Sequence, residues 1–193
     1  MAVGKMSACL ELQREGQLQG RDVRFVGTGQ AGILISGHGV ALDAVRVDYA
    51  AGAVEAAVLT AAEIATAETL VLVEGQGSLC HPGSTATLPL MRGSQPTALL
   101  LVHRVGQTHV RTRPGAVPVA IPPLPEVIAA NEALAALARP DGQRPKVRAI
   151  CLNTALLNAE QAQEERACLQ ALTGLPVWDP VRHGSSGLLA ALD

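Results

Sequence analysis

The chain has 193 residues, with 15 Lys plus Arg against 17 Asp plus Glu, a formal charge of −2. That balance excludes the basic footprint of a nucleic-acid or anionic-membrane binder. It is 48% hydrophobic and 2% aromatic, which excludes intrinsic disorder and base-stacking platforms and puts the core in Ala, Val, Leu and Ile. Phe25, Tyr49 and Trp178 are the aromatic residues. Cys9, Cys80, Cys151 and Cys168 lie far apart. Their spacing rules out a zinc site of close cysteine pairs, argues against a disulfide framework, and suits a reducing cytoplasm. No apolar stretch is long enough to span a bilayer, and Lys5, Glu11, Arg14 and Glu15 interrupt any signal-like core. The expectation is one soluble, cytoplasmic domain over residues 1–193. Its partner is a small-molecule substrate, with no nucleic acid and no membrane, and homo-oligomerisation is left open.

In chain order, residues 7–14 predict a helix stopped by Gly16. Residues 24–26 predict a short strand, Gly27-Thr28-Gly29 a turn, and residues 30–35 a short helix. Residues 44–47 predict a strand and the Ala-rich residues 50–62 a helix. The Thr-Leu-Val-Leu-Val run at 69–73 is a buried strand, followed by a helix at 84–91 and a second buried strand at 97–102. Residues 111–125 read as a Pro-rich loop, 126–138 as a helix, 147–152 as a third buried strand, and 159–172 as a helix. A last strand at 177–178 precedes a small helix at 185–192. Continuous apolar strands alternating with helices predict an α/β domain with a mainly parallel sheet covered on both faces.

In such a sheet a ligand sits beyond the carboxyl ends of the strands. Gly4-Lys5-Met6-Ser7 supplies the second half of the phosphate-loop pattern G-x-x-x-x-G-K-[ST], with Met6 at the hydroxyl position and Ser7 after it. Glu74-Gly75-Gln76-Gly77-Ser78 follows a buried strand. There a carboxylate can hold Mg²⁺ or take a proton, and Gly75 and Gly77 let a ligand approach the backbone; the alternative is a tight turn with Glu74 as a cap. Asp48, at the end of the 44–47 strand, is either a second acidic group facing a metal or a helix cap. His103 and Arg104, after the strand ending at Val102, can bind an anion. Asn153 can read a purine edge or satisfy backbone groups, and Arg182 follows the last strand. His38, His81, His109 and His183 lack metal-ligand spacing.

Residues 2–7, 29–35, 43–45, 48–55 and 73–82 together resemble the DUF1611 family, in the right order and over essentially the whole chain. The resemblance implies a three-layer P-loop NTPase-like domain, the family's C-terminal domain, without its N-terminal Rossmann-like domain. It also implies that the first strand and half of the phosphate loop, a Gly-Thr-Asp-Cys-like stretch, should precede Ala2. Characterised relatives are D-glutamate N-acetyltransferases. The implied function is therefore acetyl transfer from acetyl-CoA to the amino group of an acidic D-amino acid. Glu74 or Asp48 is then the candidate base, with His81 a weaker one, and His103, Arg104 or Arg182 clamps the substrate carboxylate. Similarity of fold to dethiobiotin synthetase implies the alternative of an ATP- and Mg²⁺-dependent ligase or kinase. In that case Lys5 binds phosphate, Asp48 and Glu74 hold Mg²⁺, and Asn153 contacts the purine. A third expectation is a truncated domain that binds ligand without catalysis.

Overall fold

The computed structural model describes residues 3–110, 114–137 and 139–193. Helix α1 (Lys5–Leu18) leads into strand β1 (Val23–Val26), helix α2 (Gln30–Ser36), a 3₁₀ turn at Leu42–Ala44 and helix α3 (Val47–Ala61). Strand β2 (Leu70–Val73), helix α4 (Thr87–Ser94) and strand β3 (Ala98–Arg104) follow. Two short strands come next, β4 (His109–Val110) and β5 (Val119–Ala120), then helix α5 (Leu124–Ala136) and strand β6 (Lys146–Asn153). Helix α6 (Ala159–Thr173), strand β7 (Val177–Trp178) and helices α7 (Pro180–His183) and α8 (Ser186–Ala190) end the order.

The main strands are parallel, in two groups. β1 pairs with β2, and β6 lies between β3 and β7. Alternation along β6 explains the layering. Ala149 and Cys151 pack with Ala8 and Leu12 of α1 and with Leu188 and Leu189 of α8. Ile150 and Leu152 point the other way, to Leu124 of α5 and Leu169 of α6. A strand buried on both faces needs apolar residues at successive positions, which is why β6 reads Ala-Ile-Cys-Leu over residues 149–152, past the exposed Arg148. On the second face, Val54 of α3 and Leu90 of α4 pack beside Val73 of β2. The result is the expected three-layer α/β domain. Among the described residues no helix is long and apolar enough to cross a membrane.

Several local expectations are corrected. Residues 44–47 form no strand. The segment makes a 3₁₀ turn and Val47 opens α3, with Asp48 in its first turn, where a carboxylate complements the helix dipole. Gly16 does not stop the first helix; α1 continues to Leu18 with Gly16 buried inside it. A Cβ at Gly16 would lie 2.3 Å from Cγ2 of Val23, so the glycine is required by contact with β1. The helix expected at 84–91 starts later, at Thr87, because Ser84 Oγ and Thr87 Oγ1 bond the turn after β2 instead. Strand β3 extends through His103 and Arg104, which are its last residues rather than a loop beyond it. The Pro-rich segment contains β5, paired antiparallel with β4, and an unexpected short helix, α7, precedes the expected last one, which spans Ser186–Ala190. Arg111, where that loop was expected to begin, and Ala138, the expected end of the next helix, lie outside the described residues.

Two alanine substitutions should have opposite signs. Gly16→Ala gains helix propensity but forces α1 off β1, a net destabilisation of about 1–2 kcal/mol. Gly52, in α3, faces open space, so Gly52→Ala should stabilise by roughly 0.5–1 kcal/mol. Urea denaturation of both variants checks this; stabilisation by both would contradict the packing assigned to Gly16.

Candidate functional site

The start of α1 is where the carboxyl ends of the two strand groups meet. From the β2 side, Lys5 Nζ donates to the carbonyl of Gly77 at 3.2 Å. From the β6 side, Asn153 Nδ2 donates to the carbonyl of Val3 at 3.0 Å. The ends of β2 and β6 therefore share one edge, as the sequence predicted. Gly4 is the N-cap of α1 with φ 108°, a left-handed conformation that favours glycine, and a Cβ there would press on the Asn153 amide at 3.4 Å. No side chain among the described residues caps α1. Its first-turn N–H groups, on Lys5, Met6 and Ser7, have no intrahelical acceptors and form a ready anion cradle. Gly75 lets the Lys5 stem pass: a Cβ there would be 2.9 Å from Lys5 Cδ.

Electrostatics sharpens this arrangement. Burial lowers the Lys5 pKa from its ordinary 10.5, and the nearby Glu74 and Cys9 oppose that shift. An incoming anion would add to the Gly77 carbonyl and the Glu74 charge in favouring the ammonium. Burial, with the Glu74 charge second, pushes the Cys9 thiol up to about 12, so Cys9 is no nucleophile at neutral pH. Burial also lowers the His103 pKa below 6.5, leaving its imidazole mostly neutral at pH 7.

Two cavities flank the start of α1. One, of about 520 Å³, is lined by Lys5, Gly75, Gly77, His103 and Arg104 among others. The second, of about 380 Å³, is lined by Gly4, Ser7, Asn153 and Arg182 among others. The structure thus brings together most of the residues singled out in the sequence. Glu74, Asp48 and His81 line neither cavity. The Glu74 carboxylate is buried and turned to the loop after β1, where Oε2 accepts from Thr28 N at 3.0 Å and Gly29 N at 3.3 Å. Thr28 Oγ1 returns a bond to the Glu74 carbonyl at 2.9 Å. Asp48 is exposed on α3, and His81 Nδ1 accepts from Gly83 N at 3.1 Å. No three of the His, Cys, Asp and Glu residues form a metal-ligand group among the described residues.

Other polar groups are already employed. Asn153 Oδ1 accepts from Ala155 N at 3.1 Å, so both ends of its amide bond backbone, the second of the two readings the sequence allowed. Arg182 is tied to the loop after β6 through Thr154 Oγ1 at 3.1 Å and the Leu157 carbonyl at 2.8 Å. Sequence reasoning missed Asp179, which caps α7 and accepts from Thr154 N at 3.1 Å. Its position directly before Pro180 at a helix start was the available signal. It also missed Thr28, whose role depends on a partner 46 positions away.

A family described as "Domain of unknown function (DUF1611_C) P-loop domain" matches residues 1–189. The chain belongs to the DUF1611 family. This DUF1611 domain is 40% identical over 192 residues to a protein from Pseudoalteromonas sp named D-glutamate N-acetyltransferase, covering 99% of this chain and 55% of that protein. A protein of the same name from Tritonibacter scottomollicae is 38% identical with the same coverage. The crystal structure of a DUF1611 family protein from Anabaena variabilis ATCC 29413 superposes with a TM-score of 0.90 at 52% identity, over 100% of this chain and 54% of that one. The chain spans about half the length of the curated relatives it matches.

Within the DUF1611 domain, Glu74 supplies the acceptor for two backbone amides. Glu74→Ala strands both and should destabilise the fold by about 2–4 kcal/mol. Glu74→Gln keeps an amide oxygen in place and should lose about 1 kcal/mol. Denaturation midpoints test the order; an alanine variant as stable as wild type would remove this bracing role.

Proposed function

We propose that this domain binds the acyl donor of a D-glutamate N-acetyltransferase and that the donor is acetyl-CoA. One observation carries the reading: an uncapped helix start with a half-buried lysine at its mouth, flanked by two cavities. Acetyl-CoA brings a diphosphate that such a cradle fits, and the relatives' names supply the reaction. The amides of Lys5, Met6 and Ser7 and the Lys5 ammonium would hold diphosphate oxygens. Arg104, in the same cavity as Lys5, would hold a carboxylate of the amino acid.

In the transfer, the amine nitrogen bonds the acetyl carbonyl carbon and the C–S bond breaks. The amine loses a proton and CoA leaves as its thiol. His103 is our choice of proton acceptor: it lines the cavity with Lys5 and is neutral at pH 7. Glu74, Asp48 and His81, the sequence's candidates, line neither cavity, and Glu74 serves better as a brace for the Thr28–Gly29 turn. Lys5 holds its charge less readily than a free lysine, and a bound diphosphate would favour its ammonium form.

The test is incubation of a full-length family member with acetyl-CoA and D-glutamate, followed by mass spectrometry. N-acetyl-D-glutamate is the expected product. ADP from Mg²⁺-ATP with no acetylated amine would overturn the reading in favour of a ligase or kinase. The pH profile gives a further prediction. His103 must be neutral to accept a proton, and burial lowers its pKa, so turnover should rise with pH along a limb lying below 6.5. Lys5 must be charged to hold the diphosphate, so donor affinity should fall at alkaline pH, through a free-protein pKa below 10.5. His103→Gln should lower turnover about 10²-fold or more and abolish the acid limb; an unchanged profile would exclude His103.

A further inference from the structure

Arg182 has no part in the chemistry assigned so far. It lines the cavity of about 380 Å³, whereas Lys5, His103 and Arg104 line the larger one. Its backbone N–H is fixed by Asp179 Oδ1 at 3.0 Å. Its guanidinium is fixed as well. Nε donates to Thr154 Oγ1 at 3.1 Å, and Nη2 donates to the carbonyls of Thr154 at 3.3 Å and Leu157 at 2.8 Å. All of these side-chain acceptors are neutral. Among the described residues no carboxylate forms an ion pair with Arg182; Asp179 is linked to it through the Thr154 hydroxyl, which donates to Oδ2. Nη1 has no partner among the described residues. The fork is thus held by three of its five N–H groups, with the other two left for an anion. A guanidinium already fixed in place loses little rotamer freedom when it binds one.

The acyl-donor reading above, on which this step rests, then gives the donor a direction. The diphosphate is the middle of acetyl-CoA. The thioester lies at one end, and at the other is adenosine with a phosphate monoester on its ribose 3′-oxygen. The thioester must meet His103, which lines the larger cavity and not the smaller. The nucleotide end is left with the smaller cavity, where Val102, Leu152, Pro180 and Val181 offer a purine apolar walls. Arg182 is the one cationic side chain among the described residues that line it.

We infer that Arg182 recognises the 3′-phosphate of the acyl donor and so makes the domain prefer coenzyme A to nucleotides that end in an unmodified ribose. A phosphate monoester carries between about −1.5 and −2 charges at pH 7 and presents strong acceptor oxygens. Arginine N–H groups suit such oxygens, and the resulting bonds are charge-assisted. Arg104, in the other cavity, remains for the amino acid's carboxylate.

The experiment is isothermal titration calorimetry of the full-length protein with CoA and with dephospho-CoA, which differ by the 3′-phosphate alone. The wild type should bind CoA about 10- to 100-fold more tightly. Arg182→Gln should lose that preference by weakening CoA, while its affinity for dephospho-CoA stays at the wild-type level. Arg104→Gln should keep the preference. Because the first comparison changes only the ligand, it decides the matter even if Arg182→Gln does not fold. Equal wild-type affinities would overturn the inference and leave the acyl-donor reading standing; binding of neither ligand would overturn both. A preference that survives Arg182→Gln, or is lost in Arg104→Gln instead, would put the 3′-phosphate elsewhere and also overturn the inference. Equal weakening of both ligands by Arg182→Gln would reduce Arg182 to a brace for the loop after β6.

Discussion

The start of α1 is anchored from two sides, and the rest of the site depends on that. Lys5 reaches the Gly77 carbonyl beyond β2, while Asn153 reaches the Val3 carbonyl from the end of β6. These two bonds join strand groups that share no ladder among the described residues. Each is modest in net worth, about 1 kcal/mol for a neutral pair and more for the charged one. Their importance is geometric: they aim the unpartnered amides of a helix's first turn, and a lysine beside them, at one point.

Buried groups around that point set its character. Glu74 is a carboxylate sealed into the fold by the Thr28 and Gly29 amides, and its negative field favours the Lys5 ammonium that burial disfavours. Asp179 plays a similar part on the other flank, accepting from Thr154, Val181 and Arg182 backbone groups. Both acids brace loops. The groups left facing the cavities are Lys5, His103 and Arg104 on one side and Ser7 with the Asn153 and Arg182 edges on the other. Such a set of groups suits the anion and the neutral base of the proposed reaction.

Much of this was legible in the sequence. The runs that became β2, β3 and β6 are apolar at nearly every position, which only a doubly covered parallel strand requires. Reading the polar residues at their ends as one edge then placed Glu74 and Asn153 on the same side of the fold, where the start of α1 brings Lys5 to them. Failures came where the deciding partner is distant. Gly16 looks like a helix end until Val23 is packed against it. Residues 44–47 alternate like a strand, yet they join no ladder, and the chain makes a 3₁₀ turn before α3. The end of β2 placed Glu74, but what its carboxylate touches is decided by a turn 46 residues earlier. Burial of His103, which changes it from an anion binder to a candidate base, is a property of the whole cavity.

The central claim is that the first turn of α1 holds the diphosphate of an acyl donor. The most direct measurement is nuclear magnetic resonance of the ¹⁵N-labelled full-length protein titrated with acetyl-CoA. The account predicts saturable shifts of the Lys5, Met6 and Ser7 amides that are lost in Lys5→Ala. Acetyl-CoA binding that leaves those three amides unmoved would contradict it.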